Sequence, residues 1–395
     1  MVACNCNSED LFCLIKSGKL PILHYAIEAA DEKFIDVLLE NKVDLDLNIP
    51  SLGTALHLAV VKQDLDLMKK LINSGADVNA VKKDIMSSYY KWSTLHLAIF
   101  SGNARIVEFL LKNNATIEQG SEEIYSSLRL AIRANNIEIL QLLETFGAEV
   151  SVIKDGRYTT EFNLAVEEDN LQVIKFFLRK CTNINGLVDF LRKNLLHKAV
   201  KNYSDKVLKY LLNSGMDFNL VDKENCTPLN LAIKLIEENP YLSGHYRKIV
   251  NLIENHVIKM RAANFYVSEA ILKLISVKDL VALHEQSIKE VHLLKETKIA
   301  DTNLSYFNIL NKSIHKLAIG LKYFKNSFSE KELIIKFPIY GEMIFERLMK
   351  GLERRTLLSD SQEEIYEIFG SSLPCLIIRE ILHFLSNDDL KLLIK

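Results

Sequence analysis

Seven short apolar words recur along the first part of the chain: LHYAI, LHLAV, LHLAI, LRLAI, FNLAV, LHKAV and LNLAI. Their alanines are Ala26, Ala59, Ala98, Ala131, Ala165, Ala199 and Ala232, separated by 33, 39, 33, 34, 34 and 33 residues. An apolar pair follows in several copies, as at Leu38-Leu39, Leu71-Ile72, Leu110-Leu111 and Leu211-Leu212. A glycine stands 16 residues after the alanine in three of them, at Gly75, Gly147 and Gly215. This pattern predicts a helix, a tight turn, an antiparallel helix and an extended link, repeated seven times. The alanine lets two helices approach closely, the leucine pair fills the seam between neighbours, and the glycine suits the left-handed end of the second helix. One such pair buries too little surface to stand alone, so the units must stack into a solenoid.

His24, His57, His96 and His197 recur in phase with the alanines. Being one repeat apart, they cannot converge on one metal or one substrate. Their expected role is to bond backbone groups near the repeat turn. Two departures from the even period stand out. Between residues 80 and 92 the chain carries six extra residues, including Tyr89, Tyr90 and the sole tryptophan, Trp92. An insertion of this kind extends the loop edge, and exposed Tyr and Trp are favoured anchors of protein interfaces. These three are therefore candidate target-binding residues; the other reading is that Trp92 covers the seam below it. The second departure, Glu237 to Arg247, lengthens the link inside the seventh unit and suits a terminal repeat.

Beyond about residue 255 the alanine word disappears. Helical spacing persists in the segments 267–274, 278–294 and 311–323, with no Gly-, Pro- or Ser-rich linker. The end of the chain is the second informative stretch. Ser372 can cap a helix and Pro374 fits its first turn. Ile377, Ile381 and Phe384 form one apolar stripe; Ile378, Leu382 and Leu385 form another. One core needs only one stripe, so the surplus points to a partner.

The words Thr54-Ala55-Leu56-His57-Leu58-Ala59, Ser93-Thr94-Leu95-His96-Leu97-Ala98 and Thr227-Pro228-Leu229-Asn230-Leu231-Ala232 resemble the T-P-L-H-x-A motif of ankyrin repeats. Gly75-Ala76-Asp77-Val78-Asn79 resembles the ankyrin end-of-repeat turn. Residues 371–395 resemble the start of an F-box, through Leu373-Pro374, Ile381, Leu385 and Asp389-Leu390. With Phe337-Pro338-Ile339-Tyr340-Gly341, Arg354 or Arg355, and Leu357-Leu358, the resemblance extends to the PRANC domain found behind ankyrin repeats in poxviruses, parasitoid wasps and some intracellular bacteria. The acidic position of the F-box pattern is Leu376 here, with Glu380 one turn later.

Together the resemblances imply an all-α chain: a tail or capping segment over 1–17, an ankyrin-repeat solenoid of about seven repeats over 18–255, and a helical PRANC domain over 256–395. They also imply that the F-box-like end docks the Skp-type adaptor of a cullin–RING ubiquitin ligase while the repeats hold an unknown target protein. The docking residues would be Leu373, Pro374, Ile377, Ile378, Ile381, Leu382, Leu385 and Leu390. The alternative is an ankyrin scaffold that masks a host signalling protein without recruiting a ligase.

Composition narrows the function further. The chain has 395 residues, 48% hydrophobic and 25% charged, with a net charge of −2, so it lacks the basic surplus of a nucleic-acid binder. Its six cysteines are too sparse and uneven for a disulfide framework. Cys4, Cys6 and Cys13 could take a soft metal, but without paired ligand spacing they read as free thiols in a reduced compartment. The chain has no apolar run of membrane-spanning length and no signal-like start, so the expected location is cytoplasmic, in the cytoplasm or nucleus of a host. No glycine-rich phosphate loop, HExxH or nucleophile elbow occurs, and Cys375 beside His383 fits no known catalytic pair. The expectation is no enzyme, no cofactor and no metal.

Overall fold

The computed structural model describes residues 21–49, 52–83, 91–117, 126–149, 153–154, 157–158, 160–179, 184–186, 188–275, 280–325 and 329–369. Beyond these it describes 378, 382, 385, 387, 389, 390 and 394. The chain divides into two compact units, Met1–Val150 and Ser151–Lys395.

The first unit holds four helix pairs among its described residues: α1 (Ile22–Glu28) with α2 (Glu32–Glu40), α3 (Ala55–Val61) with α4 (Leu65–Asn73), α5 (Thr94–Phe100) with α6 (Ala104–Lys112), and α7 (Ser127–Arg133) with α8 (Ile137–Thr145). A short antiparallel ribbon, β1 (Val81–Lys83) with β2 (Lys91–Ser93), precedes α5. This is where the six extra residues of the sequence fall, and it departs from a purely helical expectation because the extended links on either side are long enough to pair. In the second unit a smaller ribbon, β3 (Ile153–Lys154) with β4 (Arg157–Tyr158), precedes three pairs: α9 (Thr160–Glu167) with α10 (Leu171–Leu178), α11 (Leu195–Lys201) with α12 (Asp205–Asn213), and α13 (Pro228–Glu238) with α14 (Ser243–Ala262).

The pairs are built alike because the chain turns at fixed distances from each alanine. All seven alanines of the recurring word are at most 2% exposed. Four residues later the backbone is left-handed, at Ala30, Gln63, Gly102, Asn135, Asp169 and Tyr203. The next residue caps the second helix: Asp31, Asp64, Asn103, Asn136 and Asn170 each accept the backbone N–H three positions on, at 3.0–3.3 Å. The second helix ends in another left-handed residue, 16 after the alanine. This is the predicted glycine at Gly75, Gly147 and Gly215, but Lys42 and Asn114 hold the same conformation in two other copies.

Six more helices follow in the second unit among the described residues: α15 (Glu269–Leu274), α16 (Val281–Glu296), α17 (Tyr306–Asn311), α18 (Ile314–Gly320), α19 (Glu330–Lys336) and the 29-residue α20 (Gly341–Phe369). The expected boundary at 255/256 lies inside α14, a single helix that also packs on α16. The expected helix over 311–323 is shorter in the structure, Ile314–Gly320, with Ser313 as its cap.

Arginines of α20 hold three of its neighbours by their carbonyl ends. Arg347 donates to Ile309 O at 2.7 Å and Lys312 O at 2.6 Å, closing α17. Arg355 donates to Leu321 O at 3.1 Å and Phe324 O at 2.7 Å, beyond α18. Arg354 donates to Leu382 O at 2.9 Å and Leu385 O at 2.7 Å in the terminal segment. Cations at such ends satisfy free carbonyls and meet the negative pole of the helix. The Phe337-Pro338-Ile339-Tyr340-Gly341 motif is structural. Both carboxylate oxygens of Glu290 accept Ile339 N–H, at 3.1 and 3.0 Å, and one accepts Tyr340 N–H at 2.8 Å. A β-carbon on Gly341 would lie 2.6 Å from Leu333 O, so only glycine fits.

Candidate protein-binding surfaces

Three of the four in-phase histidines, His24, His57 and His197, join one helix pair to the turn of the next. His57 Nδ1 accepts the Thr54 backbone N–H at 3.2 Å, which leaves Nε2 to donate to Trp92 O, also at 3.2 Å. His24 Nε2 reaches Gly53 O at 3.0 Å, and His197 Nε2 reaches Cys226 O at 3.0 Å. Burial disfavours the charged ring, and the values for His57 and His96 fall to about 4. Among the described residues His96 bonds only within its own turn, where Nδ1 accepts the Ser93 backbone N–H at 3.2 Å.

Of the aromatic target candidates, Tyr89 and Tyr90 lie outside the described residues. Trp92 is half-buried on β2, its ring edge-on to His96 with centroids 6.5 Å apart and to Phe100 at 5.5 Å. It thus covers the buried His96 and leans on Phe100, a residue 68% exposed. This packing is what the seam-cover reading of Trp92 expects. Phe100 has no part in the repeat motif; its exposure at the end of a core helix is what marks it, and its apolar side chain beyond the alanine word was the available signal.

The C-terminal candidates divide. Leu373, Pro374, Ile377 and Ile381 lie outside the described residues. Ile378, Leu382 and Leu390 are at most 2% exposed and form a small core with Leu357 and Ile365 of α20, with Leu358, Leu385 and Ile394 packed around it. These side chains face the chain's own interior.

A third arrangement joins α20 to the second helices of the preceding pairs. Glu342 receives Lys209 Nζ at 2.7 Å and Asn213 Nδ2 at 3.2 Å. One turn on, Glu346 receives Lys175 Nζ at 2.7 Å; one turn further, Lys350 Nζ donates to Ser214 Oγ at 3.1 Å. The Tyr210 ring lies within 4.9 Å of Lys175 Nζ and 5.4 Å of Lys350 Nζ. Burial lowers Lys350 to about 8 and raises Tyr210 to about 12. α20 thereby occupies the second-helix side of α10 and α12. On the first-helix side Glu167, Lys201 and Lys234 are exposed.

Among the described residues no group of three His, Cys, Asp or Glu side chains could hold a metal ion, and no helix is long and apolar enough to cross a membrane. The family model for ankyrin repeats matches three stretches, residues 1–82, 56–154 and 162–257, more than half of the chain. The chain belongs to the ankyrin-repeat family. Ankyrin repeats are non-catalytic scaffolds whose stacked faces bind other proteins.

Curated relatives share this part. The chain is 23% identical to the NF-kappa-B p105 subunit of Gallus gallus, covering 91% of this chain and 38% of that protein. It is 28% identical to the human Ankyrin repeat and SOCS box protein 11 over 31% of this chain and 35% of that one. It is 24% identical to a putative ankyrin repeat protein of Rickettsia felis, over 56% of this chain and 71% of the relative. The chain therefore spans little more than a third of the first two. Among solved structures, the ankyrin repeat domain of Bcl-3 is 22% identical with a TM-score of 0.42, covering 58% of this chain and 96% of that one.

Proposed function

We infer that this ankyrin-repeat protein is an adaptor that holds a target on its repeats and docks the Skp-type adaptor of a cullin–RING ubiquitin ligase through residues 371–395. What supports the docking half is that the terminal sequence carries more apolar residues than the core on α20 takes up. Ile378 and Leu382 are taken up by the core on α20, where Arg354 holds the carbonyls of Leu382 and Leu385. The sequence adds Ile377, Ile381 and Phe384 at helical spacing, a second apolar set for a partner to cover. The resemblance of Leu373-Pro374 through Asp389-Leu390 to an F-box, at the end of an ankyrin chain, supplies the identity of the partner. The name of the human relative likewise joins ankyrin repeats to a box, the SOCS box.

The masking scaffold is the second reading, and the burial of Ile378, Leu382 and Leu390 favours it to the extent that the terminal segment serves its own core. Co-purification separates the two. Tagged full-length chain should retain the Skp-type adaptor and cullin, and Ile381→Asp should lose both while keeping its helical spectrum. A charge in a docking stripe must be buried unpaired in the complex and is harmless in the free protein. Retention of adaptor and cullin by Ile381→Asp and by a chain lacking residues 371–395, or their absence from the intact chain, would leave the masking reading.

A further inference from the structure

We propose that α20 is a brace along the repeats of the second unit. Its polar fastenings to α10, α12 and α14 fix how those three helix pairs sit on one another, which makes the placement of the repeats depend on the C-terminal helices. Unlike the ligase docking, this role involves none of residues 371–395.

A stack of repeats is held by contacts between neighbours, so each junction is a place where it can flex. In this unit α10 packs on α12 and α12 on α14, while α9, α11 and α13 pack in the same order. α20 adds bonds that run across all three pairs. Tyr340, just before its first residue, donates its hydroxyl to Lys259 O on α14 at 2.7 Å. Glu342 takes Lys209 and Asn213 of α12, and Glu346 takes Lys175 of α10. Lys350 returns to Ser214, the residue that closes α12. The tie from Lys175 to Glu346 joins residues 171 positions apart in the chain.

The sequence is arranged for these ties. Lys175 and Lys209 each stand ten residues after their repeat's alanine, Ala165 and Ala199, and so occupy one place on successive second helices. The first unit carries Asp36, Lys69, Glu108 and Gln141 at that place, with no common charge. Glu342, Glu346 and Lys350 are one turn apart on α20 and share a face. Another face of α20 is committed to the C-terminal helices. A β-carbon on Gly351 would lie 3.2 Å from Leu321 and 3.3 Å from Leu317, and Arg347 and Arg355 hold carbonyls at the ends of α17 and α18. Charge pairs on the repeat-facing side select one placement of the helix, because a shift leaves partly buried charges unanswered. The side chains of Lys175 and Glu346 are 32% and 18% exposed, against 52% and 38% for Lys209 and Glu342. The tie to α10 is therefore the less screened of the two and the one to cut.

Spin labels carried by noncanonical residues at the exposed positions Glu167 on α9 and Lys234 on α13 report the spacing of the outer two pairs in the full-length chain. The parent chain should give a single narrow distance distribution. Glu346→Gln, which keeps the side chain's shape, and Glu346→Lys should both broaden it, and amide exchange over α10 should quicken about tenfold. Combining Lys175→Glu with Glu346→Lys rebuilds the pair with its charges exchanged and should restore the narrow distribution and the slow exchange. Ile381→Asp should leave both readings at the parent values, which keeps the result separate from the ligase question. A distribution that stays narrow in both single variants would overturn the brace. So would a charge exchange that fails to restore it.

Discussion

His57 Nε2 donates to the backbone oxygen of Trp92 across 3.2 Å, tying the core helix of one ankyrin repeat to the ribbon that opens the next. The bond requires a neutral ring whose Nδ1 is already occupied by the Thr54 backbone N–H. The same link recurs from His24 to Gly53 and from His197 to Cys226. The stack is thus held together by groups that must stay uncharged.

Acid should weaken the stack for this reason. The folded value of His57 is about 4 against an ordinary 6.5, and that of His96 is also about 4. Above pH 6.5 the ring is neutral in both states and the stabilisation is fully present. Below it the unfolded chain takes up protons that the folded chain refuses, so stability falls as the pH drops from 6.5 towards 4. The loss at pH 5 is about 2 kcal/mol for each of these two histidines. Urea melts at pH 7 and pH 5 check it, and His57→Gln should flatten the difference.

Overpacking a core alanine is the direct check on the helix pairing. Ala98 is fully buried between first helices. Ala98→Leu should cost about 1–3 kcal/mol and lower the thermal midpoint, because the neighbouring helices must move apart or adopt poor rotamers.

One turn position invites the opposite change. Ala30 is exposed with φ 54°, where the equivalent residue in another repeat is Gly102. Ala30→Gly relieves the β-carbon strain at a smaller cost in unfolded-chain entropy, and should raise stability by about 0.5–1 kcal/mol in urea melts.

Arg354 should control the order of the C-terminal segment. Its guanidinium serves Leu382 O, Leu385 O and Asn387 Oδ1 together. Arg354→Met leaves those acceptors without a donor, at about 1–3 kcal/mol for a buried group. Faster amide exchange over residues 378–390, with the repeats unchanged, is the expected signature.

The repeats were legible in the sequence because their signal is local and periodic. An alanine pinned between helices permits no substitute, and seven copies in phase leave one architecture. The glycine at plus 16 was legible only where glycine was used; Lys42 and Asn114 adopt the same left-handed backbone and give no sign of it by residue type alone. The Asp or Asn at plus five, present in five copies, was a readable cap that the alanine word overshadowed. Long-range roles stayed hidden. Nothing near Glu290 announces that it caps the backbone before α20, and three arginines of one helix cannot be assigned to three helix ends from their spacing. Phe100 was readable as an apolar residue two beyond the alanine, but its exposure was not.

Direct titration of purified Skp-type adaptor into the full-length chain bears most closely on the central claim. Isothermal calorimetry should show one-to-one binding at micromolar or tighter affinity, with the heat abolished in Ile381→Asp and unchanged in Phe100→Ala. An intact, folded chain that gives no heat with the adaptor at tens of micromolar would contradict the account.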